Sequence, residues 1–201
     1  LYDTIQHDNM ISSQPLSALT QSLLDNLLIT ESRFFRHEPS ITFVGELYKS
    51  HITERHKVTP SFDIPSTFSV WSAGCSTGQE TYSLAMVLDL ISRHHSQLHA
   101  IQNNADVADC QKIWQVNQAI RQHTHFFWHN LFAKTPLELP KQQVIICQNV
   151  LIYFRKFDQR DILAYFVQNL DIGGYVLLAP NEAMFWQHPS MRRVDNGQIN
   201  A

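Results

Sequence analysis

Residues 69–84 combine the residue types and the spacing that a ligand site needs. They read Ser-Val-Trp-Ser-Ala-Gly-Cys-Ser-Thr-Gly-Gln-Glu-Thr-Tyr-Ser-Leu, which is an apolar run, a turn of small residues and the start of an amphipathic helix. Gly74 and Gly78 have no Cβ, so the backbone can turn tightly and a ligand can approach it closely. Glu80 falls at the helix start and suits a ligand with a cationic or hydroxyl-bearing end. The segment predicts the strand–turn–helix opening of a nucleotide-type pocket.

The same turn lacks the features of the common phosphate-binding loops. No Lys stands at its end, as a P-loop requires, and its glycines do not follow the Gly-x-Gly-x-x-Gly spacing of a dinucleotide site. Thr77 and Glu80 also fit a Thr-x-x-Glu capping box, which would give Glu80 a structural role. Because a capping Glu can also face a ligand, the residues alone leave both roles open.

The elements that must position this turn follow an α/β pattern. Residues 144–147 form a continuous apolar run, which is typical of a strand buried on both faces of a parallel sheet. We expect a helix over residues 157–170, capped by Asp158 and ended by Gly173-Gly174, and then a strand over residues 175–179. Together with the strand and helix around the glycine turn, these units predict a doubly wound α/β sheet.

Polar residues follow two of the predicted strands where each strand ends. Gly74 comes after the first strand, and Gln148 and Asn149 come after the strand at residues 144–147. In open α/β sheets, ligands bind beyond the carboxyl ends of the strands. The pattern therefore predicts that these two segments border the same site.

The N-terminal part of the chain has a different character. Residues 14–36 and 41–50 read as helices with apolar stripes, and a linker bracketed by prolines follows them. A chain of 201 residues can hold one full domain and a small appendage. We expect a helical domain with its linker at residues 1–60 and the α/β domain at residues 61–201.

Composition restricts the class of protein. The net charge of −3 argues against a broad nucleic-acid interface, and no apolar run approaches the ~18–20 residues of a membrane span. Cys75, Cys110 and Cys147 form no CxxC pair, which predicts a reduced protein of the cytoplasm. The histidines within residues 123–129 fit no strong zinc spacing, so no metal site is expected.

Three segments read as motifs. Residues 73–83 are Ala-Gly-Cys-Ser-Thr-Gly-Gln-Glu-Thr-Tyr-Ser, residues 30–36 are Thr-Glu-Ser-Arg-Phe-Phe-Arg, and residues 146–154 are Ile-Cys-Gln-Asn-Val-Leu-Ile-Tyr-Phe. In their order and content they resemble the motifs of CheR-type chemoreceptor glutamate methyltransferases. The resemblance covers roughly residues 16–190, and the type IV pilus branch, PilK, is the expected subfamily.

The resemblance implies a fold, a cofactor and a substrate. The fold would be the class I S-adenosylmethionine-dependent methyltransferase core with a small N-terminal helical domain. The cofactor would be S-adenosylmethionine, which leaves as S-adenosylhomocysteine. The substrate would be glutamate side chains on the cytoplasmic helical bundle of a chemoreceptor, and we expect the enzyme to be a monomer that is not inserted in a membrane.

The resemblance also assigns site residues by their match to the motifs. Arg36 and Tyr153 take the catalytic positions, with Tyr153 beside the transferred methyl group. The cofactor-binding positions are Thr30, Ser32, Arg36, Gly74, Glu80, Asn130, Leu131, Gln148 and Asn149. Thr30 and Gln148 depart from the family, which usually has Asn and Arg there. Without the resemblance, Arg36 would read as a surface cation, Asn130 as a turn residue and Tyr153 as a core aromatic residue.

One expected residue is missing from the pattern. The family has an acid that binds the ribose hydroxyls about twenty residues after the glycine turn. Asp106 and Asp109 lie nearby, but no apolar strand precedes them, so no ribose acid is assigned. We hypothesise that a stretch is absent near Ala100 and Ile101, which the Cα–Cα distance across that bond would test.

Two alternative functions stay open at this stage. The same core could methylate another protein or a small molecule. The chain could also be a regulator that binds S-adenosylmethionine without turnover, since Gln79, Thr81 and Gln148 replace the family's usual Glu, Pro and Arg.

Overall fold

The computed structural model describes residues 32–57, 67–97, 116–132, 139–194 and 201. Strands and helices alternate along these residues. In chain order the elements are α1 (Glu38–Lys57), β1 (Val70–Ser72), α2 (Gln79–Gln97), α3 (Gln118–Arg121), β2 (Gln142–Cys147), a 3₁₀ turn (Leu151–Tyr153), α4 (Lys156–Asn169) and β3 (Leu170–Leu178).

The described strands form one parallel sheet in the order β1-β2-β3. Ile145 in the central strand pairs with Trp71 on one side and with Val176 on the other. Residues 144–147 are buried almost completely, as the apolar run predicted. The prediction of a parallel α/β sheet is therefore confirmed for this part of the chain.

Helices cover both faces of the sheet. Successive side chains of a strand point to opposite faces, so β2 contributes to two separate cores. On one face, Ile145 and Cys147 pack with the α4 residues Ile162, Leu163 and Phe166. On the other face, Val144 and Ile146 pack with α1 and α2, through Ile41, Val44 and Leu84.

Helix α1 extends further than the sequence indicated and lies on the sheet. The predicted helix at residues 41–50 is confirmed, but it begins at Glu38 and ends at Lys57. Residues 32–36, which were expected to be helical, form coil and turn, and Phe35 has a positive φ of 55°. The rest of that predicted N-terminal helix and the linker at residues 58–66 lie outside the described residues, so the domain boundary at residue 60 stays a prediction.

Two predicted helix caps are absent. Helix α2 begins at Gln79, and Thr77 Oγ1 donates to Gln79 Oε1 at 2.6 Å and makes no capping box with Glu80. At the start of α4, Asp158 Oδ2 accepts a 3.0 Å hydrogen bond from Arg155 Nε instead of capping the backbone. In both cases the polar side chain bonds to a nearby side chain.

Strand β3 begins earlier than expected. It starts at Leu170, directly after α4, so Gly173-Gly174 lies within the strand and does not end the helix. Gln142 pairs with Leu170 and Val144 with Tyr175, which leaves an irregularity in β3 between the two pairs. Gly173 supplies a positive φ of 79° in this bulge.

None of the described helices is long and apolar enough to cross a lipid bilayer. The hypothesis of a missing stretch near Ala100 and Ile101 concerns residues outside the described part of the chain, as do Asp106 and Asp109.

Candidate functional site

A cavity of about 570 Å³, which we call the polar cavity, lies at the carboxyl ends of β1 and β2. Its volume falls within the range of small-molecule sites. Residues from all three sequence motifs line it. For the glycine turn and for the segment after β2, this agrees with the expectation that ligand sites lie beyond the carboxyl ends of parallel strands. The lining includes the candidate residues Ser32, Arg36, Gly74, Glu80, Gln148, Asn149 and Tyr153.

At both glycines of the turn, a Cβ would lie too close to a neighbouring side chain. Gly74 has a φ of 77°, and a Cβ there would lie 2.6 Å from Val150 Cγ2. Gly78 has a φ of 93°, and a Cβ there would lie 3.0 Å from Phe126 Cζ. Just before the turn, Ala73 N donates to Ile146 O at 2.7 Å, which ties the turn to the end of β2.

Glu80 faces the polar cavity from the first turn of α2. Its Oε1 accepts a 2.5 Å hydrogen bond from Ser72 Oγ, at the end of β1. Burial raises the pKa of Glu80, although the Ser72 hydrogen bond and the Arg36 charge act in the opposite direction. A carboxylate with incomplete compensation favours a ligand that brings positive charge or hydroxyl donors.

The first motif reaches the polar cavity through an unusual backbone conformation. The backbone N–H of Phe35 donates to Ser83 Oγ at 3.0 Å, and Ser83 is fully buried on α2. Phe35 has a left-handed φ that is uncommon for a bulky residue. This contact fixes the chain next to Arg36, which lines the polar cavity.

A hydrogen-bonded group lies at the start of α1. Gln148 Nε2 donates to Ser40 Oγ at 2.8 Å and to Leu178 O at 3.3 Å. His37 Nδ1 lies 2.8 Å from Ser40 Oγ, and burial lowers the pKa of His37. His37 and Ser40 both line the polar cavity, and neither was among the residues expected from the sequence.

Glu182 is a third residue that sequence reasoning missed. Its side chain is buried, at 4% exposure, and Oε2 accepts from Asn149 N at 3.1 Å and from Ala179 N at 3.0 Å. Its Oε1 accepts from Ile152 N at 3.4 Å. Asn149 has a φ of 57°, so this carboxylate holds the loop after β2 in a left-handed conformation. The sequence feature that could have identified Glu182 is an acid just after the apolar run of β3, at the same edge of the sheet.

The Tyr153 side chain is exposed to solvent and does not belong to the core. It ends the 3₁₀ turn, is 57% exposed and lines the polar cavity. Its phenol is therefore accessible to a second molecule that approaches the cavity.

A larger cavity of about 820 Å³ lies along β1, and we call it the aromatic cavity. It shares Gly74, Cys75 and Ser76 with the polar cavity. Its aromatic and imidazole lining includes Tyr48, His51, Phe68, Trp71, His123, His125, Phe126, Phe127, Trp128 and His129. Leu131, a candidate cofactor residue, lines this cavity.

Two candidate residues have no observed place in either cavity, one because it lies elsewhere and one because it falls outside the described residues. Asn130 lines neither, and its Oδ1 accepts from Phe132 N at 3.0 Å, which is the turn geometry of an Asx motif. Thr30 lies outside the described residues. The cofactor roles of both stay predictions.

The cysteines and histidines near the site show no sign of a metal centre. Within the described part of the chain, no three His, Cys, Asp or Glu residues lie close enough together to hold a metal ion. Burial raises the pKa of the Cys147 thiol well above its usual value, and the Glu182 and Glu80 carboxylates act in the same direction. Cys147 is also fully buried in the core, which is the environment of a structural cysteine.

These features define an α/β protein with a cavity at the carboxyl ends of parallel strands, beside a glycine turn that leads into a helix, which is the position where such sheets bind ligands. Residues 30–109 and 94–200 match the model of the CheR methyltransferase, SAM binding domain. The chain therefore belongs to the CheR methyltransferase family. Its class is that of S-adenosylmethionine-dependent methyltransferases, with S-adenosylmethionine as the cofactor.

The chain is similar to several proteins named as chemotaxis methyltransferases. Chemotaxis protein methyltransferase Cher2 of Pseudomonas putida is 28% identical over 214 residues, which cover 87% of this chain and 73% of the relative. Chemotaxis protein methyltransferase 1 of Pseudomonas aeruginosa is 29% identical over 150 residues, or 57% of this chain and 54% of the relative. Chemotaxis protein methyltransferase 2 of Vibrio cholerae is 24% identical over 196 residues, or 82% and 66%. The chain thus spans about half to three quarters of these relatives.

The alignment with the Pseudomonas putida protein also bears on the length of this chain. Its 214 aligned positions exceed the 201 residues present here, so that relative has residues without a counterpart in this chain. The position of such residues is not fixed by this length, and the absent stretch near residue 100 stays a hypothesis. None of the three names identifies the pilus branch.

Proposed function

We propose that this protein transfers a methyl group from S-adenosylmethionine to glutamate side chains on the cytoplasmic helices of a chemoreceptor. The observation that supports this function is the convergence of three separate segments on the polar cavity. They bring a cation, a carboxylate and an accessible phenol together in Arg36, Glu80 and Tyr153. The relatives' names as chemotaxis protein methyltransferases favour the same substrate class.

The residues present suit the chemical groups of the cofactor. A guanidinium such as that of Arg36 binds a carboxylate with paired, charge-assisted hydrogen bonds, and the cofactor's amino-acid end carries one. Glu80 suits an ammonium or hydroxyl group, because its carboxylate is only partly compensated. Because Arg36 and Glu80 line the polar cavity, we assign the amino-acid end to it. Gly74, Cys75 and Ser76 line both cavities, so the two cavities are adjacent. The adenosine end is then assigned to the aromatic cavity, near Leu131.

The reaction requires little proton transfer by the protein. A glutamate carboxylate with an unperturbed pKa of ~4.3 is already ionised at pH 7, so no general base is needed. The bound cofactor supplies a methyl group that its sulfonium makes electrophilic. The protein's contribution is alignment of the carboxylate oxygen with that methyl carbon and removal of water from both charges. Tyr153, exposed at the polar cavity, is the residue that we assign to position the carboxylate.

Transfer of tritiated methyl groups to purified receptor fragments tests the function. We expect Arg36→Ala and Tyr153→Phe each to lower the transfer rate about tenfold or more, while the free energy of unfolding changes little. Arg160→Ala, at an exposed position of α4, is the matched control and should keep full activity. Unchanged turnover in either site variant would remove that residue from the proposed role.

One observation favours a second candidate function. Gln148 stands where the family usually has Arg, and its amide binds Ser40 and Leu178, so it supplies no cation. A regulator that binds S-adenosylmethionine without turnover would bind S-adenosylhomocysteine in calorimetry and transfer no methyl group. Transfer to a different protein or to a small molecule, with none to receptor fragments, would indicate another substrate for the same core.

The finer features of the proposal are expectations of the same kind. They are a doubly wound core that follows a small N-terminal helical domain, a monomer in the cytoplasm, and a role in either chemotaxis or pilus motility. Assays with receptors from the two pathways would distinguish a role in chemotaxis from a role in pilus motility.

A further inference from the structure

The polar cavity contains two residues that the proposed function does not use, His37 and Ser40. Both line the cavity, Ser40 accepts a hydrogen bond from Gln148, and His37 Nδ1 lies 3.4 Å from Gln148 Nε2. Ser40 is 1% exposed, so its hydroxyl depends on protein partners. The group therefore has a defined set of donors and acceptors.

We assign the hydrogens of this group from its donor and acceptor distances, because the tautomer of His37 decides which atoms donate. Gln148 Nε2 has two hydrogens, which point to Ser40 Oγ at 2.8 Å and to Leu178 O at 3.3 Å. Since Ser40 Oγ accepts from Gln148, its own hydrogen is available to His37 Nδ1 at 2.8 Å. A ring nitrogen that accepts carries no hydrogen, so in the neutral imidazole the hydrogen lies on Nε2.

We propose that His37 binds a carboxylate in the polar cavity by donating a hydrogen bond from Nε2. Nδ1 is turned to Ser40 and Gln148, which leaves Nε2–H as the remaining polar atom of a ring that lines the cavity. Arg33 and Arg36 line the same cavity together with a single acid, Glu80, so the charged side chains of the described lining favour an anion.

The inference rests on the proposed function, because that function brings two carboxylates to this cavity. One belongs to the amino-acid end of the cofactor and the other to the methyl-accepting glutamate. The chemistry of recognition is the same for both, so the experiment must distinguish them.

A purely structural role for His37 also has to be tested. His37 directly precedes α1, and its carbonyl accepts from Ile41 N at 3.2 Å. The contact between His37 and Ser40 could serve only to close the first turn of α1. His37→Asn separates the two roles, because Asn places a polar atom near the position of Nδ1 but has none at the position of Nε2.

Calorimetric titration of the full chain with two probes tests the proposal. S-adenosylhomocysteine carries the amino-acid end, and 5′-methylthioadenosine lacks it. If His37 binds the cofactor's carboxylate, His37→Asn weakens the binding of S-adenosylhomocysteine about tenfold and leaves the affinity for 5′-methylthioadenosine unchanged. If it binds the acceptor, both affinities are unchanged, and the KM for receptor fragments rises about tenfold at similar kcat. His94→Asn, on the exposed side of α2, is the control and should change neither.

Three results would overturn the inference. The first is unchanged binding of both probes together with an unchanged KM. The second is an equal loss for both probes, and the third is a loss of stability in His37→Asn, since each would indicate a structural role. If the wild type binds S-adenosylhomocysteine but methylates no receptor fragment, the proposed function fails. The two probes then still decide whether His37 binds the cofactor's carboxylate.

Discussion

The two cavities border the same glycine turn but are built from different chemistry. The smaller one gathers the charged groups Arg36 and Glu80 at the ends of the strands. The larger one lies along β1 and has a group of rings in its lining, such as those of Trp71 and Phe127. Because opposite charges from separate segments converge in the smaller cavity, the proposed function assigns methyl transfer to it and not to the larger cavity.

The difference between the cavities follows from their positions on the sheet. Side chains at the carboxyl ends of parallel strands come from loops, which can carry charge because they remain partly solvated. The aromatic cavity instead lies beside the body of β1, where Trp71 packs edge to face on Phe166 with ring centroids 5.3 Å apart. This contrast agrees with the proposed assignment of the cofactor's zwitterionic end to the polar cavity and of its adenine ring to the aromatic cavity.

The largest effect is expected where the cavities meet. Gly74→Ala places a side chain at a φ of 77° and 2.6 Å from Val150 Cγ2, and a β-branched Val cannot easily move away. The left-handed conformation and the overlap together should cost about 2–5 kcal/mol of unfolding free energy. We expect calorimetry to show no binding of S-adenosylhomocysteine or of 5′-methylthioadenosine.

Gly173→Ala is the matched control for that prediction. Gly173 has a similar φ of 79°, but a Cβ there would have no atom within 4 Å. Denaturant unfolding should show a loss of about 1 kcal/mol, with normal binding of both ligands. Gly74→Ala with Val150→Ala should recover part of the loss. If Gly74→Ala binds both ligands normally, the turn does not join the two cavities functionally.

The second effect should be confined to the polar cavity. Glu182→Gln keeps the shape of the side chain, but its amide group would face a backbone N–H that the carboxylate now accepts from. We expect unfolding in urea to show a loss of about 1–3 kcal/mol, because a buried donor loses its acceptor. The loop at Asn149 loosens, so S-adenosylhomocysteine should bind several-fold more weakly and 5′-methylthioadenosine nearly as well as before.

Glu46→Gln serves as the control for Glu182. Glu46 pairs with Lys49 at 2.6 Å, but both side chains are more than half exposed. Such a pair contributes roughly 0–1 kcal/mol, so the variant should be close to the wild type in stability and binding. An equal loss in the two variants would mean that Glu182 acts only through its charge and not through the loop.

The sequence allowed the sheet and the position of the polar cavity to be predicted because both depend on local patterns. Residues 144–147 are apolar without interruption, and only a strand buried on both faces needs such a run. The convergence of Gly74 with Gln148 and Asn149 then followed from the rule for strand ends. The glycine turn and Arg36 were identified through motifs that lie within a few consecutive residues.

The missed features depend on contacts between distant residues. Glu182 holds Asn149 only because β2 and β3 pair in one particular register, which no pattern in the sequence reveals. For Glu80 the residues alone left a capping box with Thr77 and a ligand role open, and the folded turn brings its carboxylate to Ser72. Likewise, the left-handed Phe35 interrupts an apolar stripe that reads as a continuous helix.

The smallest effect should belong to the aromatic cavity and appear at acid pH. His129 stacks on Tyr165 with ring centroids 5.7 Å apart, and its Nε2 is buried with no hydrogen-bond partner among the described residues. Burial lowers the pKa of His129 below 6.5, so the unfolded chain binds the proton more readily. The stabilising contribution is present above about pH 6.5 and is lost as the pH falls through the lower, folded pKa, by at most ~1.4 kcal/mol per pH unit.

Urea unfolding at pH 7.5 and pH 5.5 measures this contribution. His129→Phe keeps the ring contacts without the titration, so its unfolding free energy should fall less between the two pH values than that of the wild type. Some fall should remain, because burial also lowers the pKa of His37 and His51. His94→Phe, at an exposed position of α2, should show the same fall as the wild type. If His129→Phe also shows the full fall, the aromatic cavity is hydrated around His129, and its contrast with the polar cavity would be weaker than the ring packing indicates.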